Sequence, residues 1–149
     1  LKPCRKETLK HYKKNYHHTN HKQVMSKLVL EAETYKILGA CIKVHKKLGN
    51  GFSESIYREA LAKELTSSEI PFEQAKKLPV FYEGRPLNNC LVVDFVCFDK
   101  IILEIKSLGV IDQPLKQQVL KFLKSTNMEI GYLINFGENN LTWKRYINT

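Results

Sequence analysis

VDFVCFDKIILEIKS, residues 93–107, decides how this chain is read. Asp94, Glu104 and Lys106 stand in a stretch that is otherwise strongly apolar. Ionised side chains are seldom buried unless they are paired or bind a metal. Either these three escape to solvent, or the chain gathers them for chemistry. Glu104 and Lys106 are two residues apart on what reads as a strand, so they project from one face, with Ile102 beside them and Ile101, Leu103 and Ile105 on the other. Asp94 falls on the preceding strand, within reach of a tight hairpin. A two-residue turn at Asp99-Lys100 would pair Asp94 with Ile105 and send the two carboxylates to opposite faces. A shared site therefore requires a one-residue offset, from a longer turn or from a bulge near Asp94.

Outward from this stretch, apolar residues at Ile37, Cys41, Val44 and Leu48 recur with helical spacing, beside a second stripe of Leu38, Ile42 and His45. The first helix is expected over Glu33–Leu48, stopped by Gly49-Asn50-Gly51. Ser53 is an N-cap signal for a second helix ending near Ser67, on which Glu54, Tyr57 and Leu61 share a face. Phe72–Tyr82 reads as a strand, with a turn at Glu83-Gly84-Arg85-Pro86. Cys90–Phe98 is apolar at both parities, as in a strand covered on both sides. A helix is expected from about Gln113 to Ser125, with Asp112 as cap and a core face of Leu115, Val119, Phe122 and Leu123 among which Gln118 sits. EIGYLINFG then reads as a strand parallel to the Glu104 strand, and LTWKRYI as a polar edge strand. The order is α-α-β-β-β-α-β-β, one α/β domain.

Composition bounds the function loosely. The chain has 149 residues and a formal net charge of +9. Residues 1–24 hold seven Lys/Arg and one Glu, leaving the body 17 basic and 14 acidic residues of the chain's 24 and 15, only +3. That segment lacks apolar periodicity and reads as a disordered or non-native extension, the domain being residues 25–149. A basic arm for nucleic acid is the alternative. No apolar run approaches the roughly 18 residues of a membrane span and no signal-peptide pattern opens the chain, so a cytoplasmic location is expected. Cys4, Cys41, Cys90 and Cys97 form no CxxC pair and read as reduced thiols, buried where their surroundings are apolar, rather than as a metal or cluster site.

Two carboxylates meeting at Asp94 and Glu104 would form a hard oxygen site of the kind Mg²⁺ or Mn²⁺ takes, with the Lys106 amine beside it to act on a water or a phosphate oxygen. Glu54 is a candidate third acid, and Gln118 a candidate to hold a water or phosphate. The competing reading is a solvent-facing Glu–Lys pair on a half-exposed strand.

The segment GACIKVHKKLGNGFSESIYREAL, with Gly51, Glu54 and Tyr57, resembles the GxxExxY protein family of the PD-(D/E)xK nuclease superfamily. The resemblance continues through VDFVCFDKIILEIKS, QQVLKFLKS and GYLINFG. It implies a restriction-endonuclease-like α-β-β-β-α-β core, with a mixed sheet flanked by helices. It also implies a Mg²⁺- or Mn²⁺-dependent nuclease hydrolysing phosphodiester bonds. Asp94, Glu104 and the Ile105 carbonyl would be metal ligands, Lys106 the catalytic lysine, and Glu54 and Gln118 further catalytic residues. Val93 replaces the superfamily's proline, and Phe122 stands where a Tyr is expected. His45 resembles the early-helix metal ligand of some branches, although its stripe suits a buried structural histidine equally. A catalytically inactive module on the same fold, binding nucleic acid or a protein, is the alternative function. DNA and RNA are not distinguished, and the oligomeric state, a homodimer included, stays open. Because residues 1–24 carry no core-forming pattern, their deletion should leave the thermal midpoint nearly unchanged. A large drop in a melting experiment would make them part of the folded domain.

Overall fold

The computed structural model describes residues 21–111, 113–126 and 128–148, with side chains described from Leu30 onward except Gln113. Two helices, α1 (His21–Leu48) and α2 (Glu54–Ser67), precede a hairpin of β1 (Phe72–Tyr82) and β2 (Arg85–Cys97). Then come β3 (Ile101–Lys106), α3 (Gln113–Thr126), β4 (Ile130–Asn135) and β5 (Thr142–Ile147). The five strands form one sheet in the order β1-β2-β3-β4-β5. β3 and β4 are parallel, joined through α3, and every other neighbouring pair is antiparallel. The sheet is therefore mixed, and the α-β-β-β-α-β order is that of a restriction-endonuclease-like fold.

Alternating side chains of the central strands build two cores. On one face Phe95, Cys97, Ile101, Leu103, Ile105, Tyr132 and Ile134 meet Ile37, Cys41, Tyr57 and Leu61 from α1 and α2. On the other, Val96, Ile102 and Leu133 meet Val119, Phe122 and Leu123 from α3. β3 lies at the centre, its first five residues buried, because both helical layers cover it. Ser53 caps α2, its hydroxyl accepting from the Ile56 N–H, and a Lys43–Glu64 ion pair of 2.7 Å ties α1 to α2.

Several expectations change. α1 begins at His21, so residues 21–24 of the basic segment are helical; residues 1–20, and Asp112 as a cap, lie outside the described residues. β2 starts at Arg85 rather than Cys90, and Arg85–Asn89 are exposed, so the strand is not covered throughout. The reason is length: β3 pairs only with Phe95–Cys97, so the outer parts of β1 and β2 run on as a two-stranded ribbon. Its turn, Glu83-Gly84, has both residues at positive φ, the combination that matches strand twist in a two-residue hairpin loop. Gln118 is exposed rather than part of the α3 core face, because the apolar stripe of α3 runs along one side of it. Cys41 and Cys97 are buried free thiols and Cys90 is half-buried, while Cys4 lies outside the described residues. Burial pushes the Cys41 thiol far up and that of Cys97 to about 12, so neither is reactive.

Candidate active site

The hairpin between β2 and β3 bears on the face problem set by Asp94. Cys97 pairs with Ile101, Val96 with Ile102 and Phe95 with Leu103, so the connection is a three-residue loop, Phe98–Lys100. Phe98 and Asp99 both take left-handed backbone angles there, and the Lys100 N–H closes back on the Cys97 carbonyl. The expected two-residue turn is thus replaced by one that is longer by a residue, and continuing its register sets Asp94 opposite Glu104.

The ladder stops before it reaches that pair. Beyond Phe95–Leu103, the two carboxylates replace the strand-to-strand bonds. Glu104 Oε1 accepts from the Asp94 N–H at 3.1 Å, and Asp94 Oδ2 accepts from the Ile105 N–H at 2.8 Å. Each acid is held by the backbone of the other's strand. The other side of β2 is distorted at the same point: Gln74 pairs with Phe95 and Lys76 with Val93, and Ala75 between them has φ of 50°. Val93 and Val96 both belong to the α3-side core although they differ in parity, so the inward–outward alternation slips a step around Asp94. β2 and β3 therefore fork at Asp94 and Glu104, and the acids fill the fork.

Electrostatics at the fork are demanding. Glu104 is 5% exposed. Burial first, and then the charge of Asp94, push its carboxyl up from the ordinary 4.5 to about 7. The Asp94 N–H and the Lys106 and Arg58 cations oppose that rise without cancelling it. Lys106, half-buried at the end of β3, follows Glu104 by two residues on the same strand. Arg58 went unnoticed in the sequence. From the second turn of α2 its Nη1 lies 3.6 Å from both Asp94 Oδ1 and Glu54 Oε2, so this guanidinium links Glu54 to the fork. Its signal was the i,i+4 spacing from Glu54.

His45 and Gln118 are not brought to this cluster by any hydrogen bond. His45 is buried, and its Nε2 lies 3.0 Å from the Glu138 carbonyl. A carbonyl only accepts, so Nε2 carries the proton. The ring also stands beside Phe136, with centroids 6.1 Å apart. Its burial and this carbonyl contact agree with the structural role that its stripe allowed.

Two neighbouring devices hold the chain after Lys106. Asn135, fully buried at the end of β4, accepts from the Leu108 N–H and donates to the Leu108 carbonyl, both at 2.9 Å, and also donates to Glu138. The Phe136 N–H donates to the Lys106 carbonyl. A Cβ on Gly137 would stand 2.3 Å from the Leu108 nitrogen, so only glycine permits this approach. On the helical side, the Tyr57 hydroxyl donates to the Gly49 carbonyl and its ring stacks on Phe136 at 4.6 Å. Ser107 Oγ donates to the Phe52 carbonyl at 2.7 Å. The α1–α2 loop is thereby fastened to the residue after Lys106. The sequence pattern included Tyr57 and LINFG without revealing these jobs.

The donor set suits a Mg²⁺-type ion. Such ions are commonly held by one or two carboxylates, with water and substrate phosphate completing the shell, rather than by an all-protein cage. Among the described residues no group of three or more His, Cys, Asp or Glu is gathered for a metal. A buried acid forced against a second acid is the local demand that a cation would answer.

A protein-family model for the PD-(D/E)XK nuclease superfamily matches residues 31–146. The chain belongs to the PD-(D/E)XK nuclease superfamily. The matched span contains Asp94, Glu104 and Lys106, with Val93 before the aspartate. No curated protein matches the sequence. Among solved structures the chain is similar to one titled "Crystal structure of SSO0001", at 16% identity and a TM-score of 0.49, over 63% of this chain and 49% of that one. It spans about half the length of that protein. No helix among the described residues of this PD-(D/E)XK chain is long and apolar enough to cross a membrane.

The raised carboxyl of Glu104 makes stability depend on pH in a defined direction. Its neutral form is favoured by the fold, so the contribution is complete below the ordinary value of 4.5 and is lost as pH rises through about 7. In EDTA, Glu104→Gln should remove a loss on the order of 3 kcal/mol across that window. Denaturation midpoints of wild type and variant should converge at acid pH and separate by neutrality, with the variant more stable. Parallel curves would contradict the assignment.

Proposed function

We propose that this chain is a metal-dependent nuclease of the GxxExxY kind, working in the cytoplasm on phosphodiester bonds of DNA or RNA. The observation that carries the reading is the pair of acids locked across the strand fork, with Lys106 beside them. A pure binding surface gains nothing from two carboxylates placed where phosphate must approach. A divalent ion, Mg²⁺ or Mn²⁺, held by Asp94 and Glu104 with the Ile105 carbonyl, would polarise the scissile phosphate and make a water acidic enough to attack. The remaining work falls to this chain's residues. Lys106 Nζ hydrogen-bonds the attacking water and offsets the charge growing on a phosphate oxygen. The backbone N–H bonds to both acids hold their oxygens in place, so little reorganisation accompanies charge development. Glu54 keeps Arg58 oriented beside Asp94, and Gln118 is assigned the binding of a phosphate or water.

Arg58 supports a second reading. A guanidinium 3.6 Å from Asp94 and Glu54 already answers part of the negative charge, as a metal-free module binding nucleic acid or a protein would need. One assay separates the two. Purified protein is given labelled single- and double-stranded DNA and RNA with Mg²⁺, Mn²⁺ or EDTA, beside Lys106→Ala. The nuclease reading expects cleavage that needs the metal and falls by about 10²- to 10⁴-fold in the variant. Binding without cleavage under every condition would install the module instead.

A further inference from the structure

An exposed aromatic ring held rigidly beside a polar site calls for an explanation. Phe52, in the loop between α1 and α2, is 43% exposed. The loop is not loose at this point. Its N–H donates to the Tyr57 hydroxyl at 3.4 Å, its carbonyl accepts from Ser107 Oγ at 2.7 Å, and one edge of its ring meets Tyr57 at 78°. Gly49 and Gly51, both at positive φ, set the bends that bring the loop there. The main chain of Phe52 is thus bonded directly to the residue after Lys106. Ile56, on the first turn of α2, and Leu108, next to Ser107, are exposed as well, so the margin of the site carries apolar surface.

The net positive charge of the body is small. Arg58 is engaged with Asp94 and Glu54, and residues 25–149 carry only a small positive excess. Duplex recognition rests mainly on basic groups along the phosphates. Stacking of bases on aromatic rings is the other general route, and it requires bases free of their partners. We propose that the Phe52 ring stacks on an unpaired nucleobase next to the scissile phosphate, so that the substrate is nucleic acid single-stranded at the point of cleavage. This rests on the nuclease reading of Asp94, Glu104 and Lys106 and adds the substrate class to it. The stacked base fixes the position of its own phosphate over the fork, through the Phe52–Ser107 bond. DNA and RNA offer the same base faces.

Binding is read separately from cleavage. Single-stranded DNA and RNA carrying 2-aminopurine at successive positions, and matching duplexes, are titrated against Lys106→Ala protein with Mg²⁺, alone and combined with Phe52→Leu or Phe52→Trp. One 2-aminopurine position should be quenched on binding. Phe52→Leu should weaken single-strand binding by about 5- to 100-fold and remove that quench. Phe52→Trp should restore both, with melting midpoints confirming that all variants fold. Duplex should bind at least about tenfold more weakly than single strand. Equal affinity for duplex, or single-strand binding unaltered by Phe52→Leu, would overturn the proposal. If wild type cleaves nothing while the stacking signal persists, the nuclease reading falls and the platform stands. If it cleaves and Phe52→Leu changes nothing, the reverse holds.

Discussion

Two carboxylates cannot share a dry fork between strands without help, and much of this fold is arranged around that constraint. At Asp94 and Glu104 the β2–β3 ladder gives up its regular bonds, and each acid takes an N–H from the facing strand. Those two bonds satisfy backbone groups that the fork would otherwise orphan, and they hold the acids together. The remaining electrostatic cost shows in Glu104, driven upward by burial and by its neighbour. Lys106 and Arg58 relieve it only in part. An arrangement that is this costly without a bound cation is one that a cation can stabilise by mass action.

The surroundings resist relaxation of that cost. β3 is packed between two helical layers, so Glu104 cannot swing to solvent without disturbing both cores. Past Lys106 the chain is tied on one side by the Asn135 carboxamide and the close approach of Gly137, and on the other by Ser107 to the Phe52 carbonyl. Tyr57 reaches from α2 to the Gly49 carbonyl and to the ring of Phe136. A residue that looks like part of a sequence signature is therefore a brace joining the helical loop to the strand beside the site. Preorganisation of this kind keeps charged groups fixed while a reaction develops charge.

Much of this was legible in advance. The alternation in IILEIK, the caps at Ser53 and Gly49, and the helical stripe of α3 depend on local spacing, and the elements they announce are present. The parallel β3–β4 pair followed from the intervening helix. Features set by distant contacts were harder to read. The length of the Phe98–Lys100 loop depends on left-handed backbone at two non-glycine residues, which their side chains do not announce. Coverage of β2 depended on how far β3 extends beside it. Gln118 lies beside an apolar stripe and periodicity alone could not place it inside or out. Arg58 and Asn135 are ordinary polar residues in the sequence, and become informative only when the fold sets them against Asp94 and Leu108.

In the proposed reaction Asp94 and Glu104 together hold a divalent cation. Isothermal titration calorimetry of the full chain with Mn²⁺, wild type against Asp94→Asn and Glu104→Gln, tests it without reliance on any substrate. One Mn²⁺ bound by wild type, with binding lost in both variants while their folds persist, is the predicted result. Equal binding by all three proteins, or none by wild type even with a phosphodiester oligonucleotide present, would contradict the account.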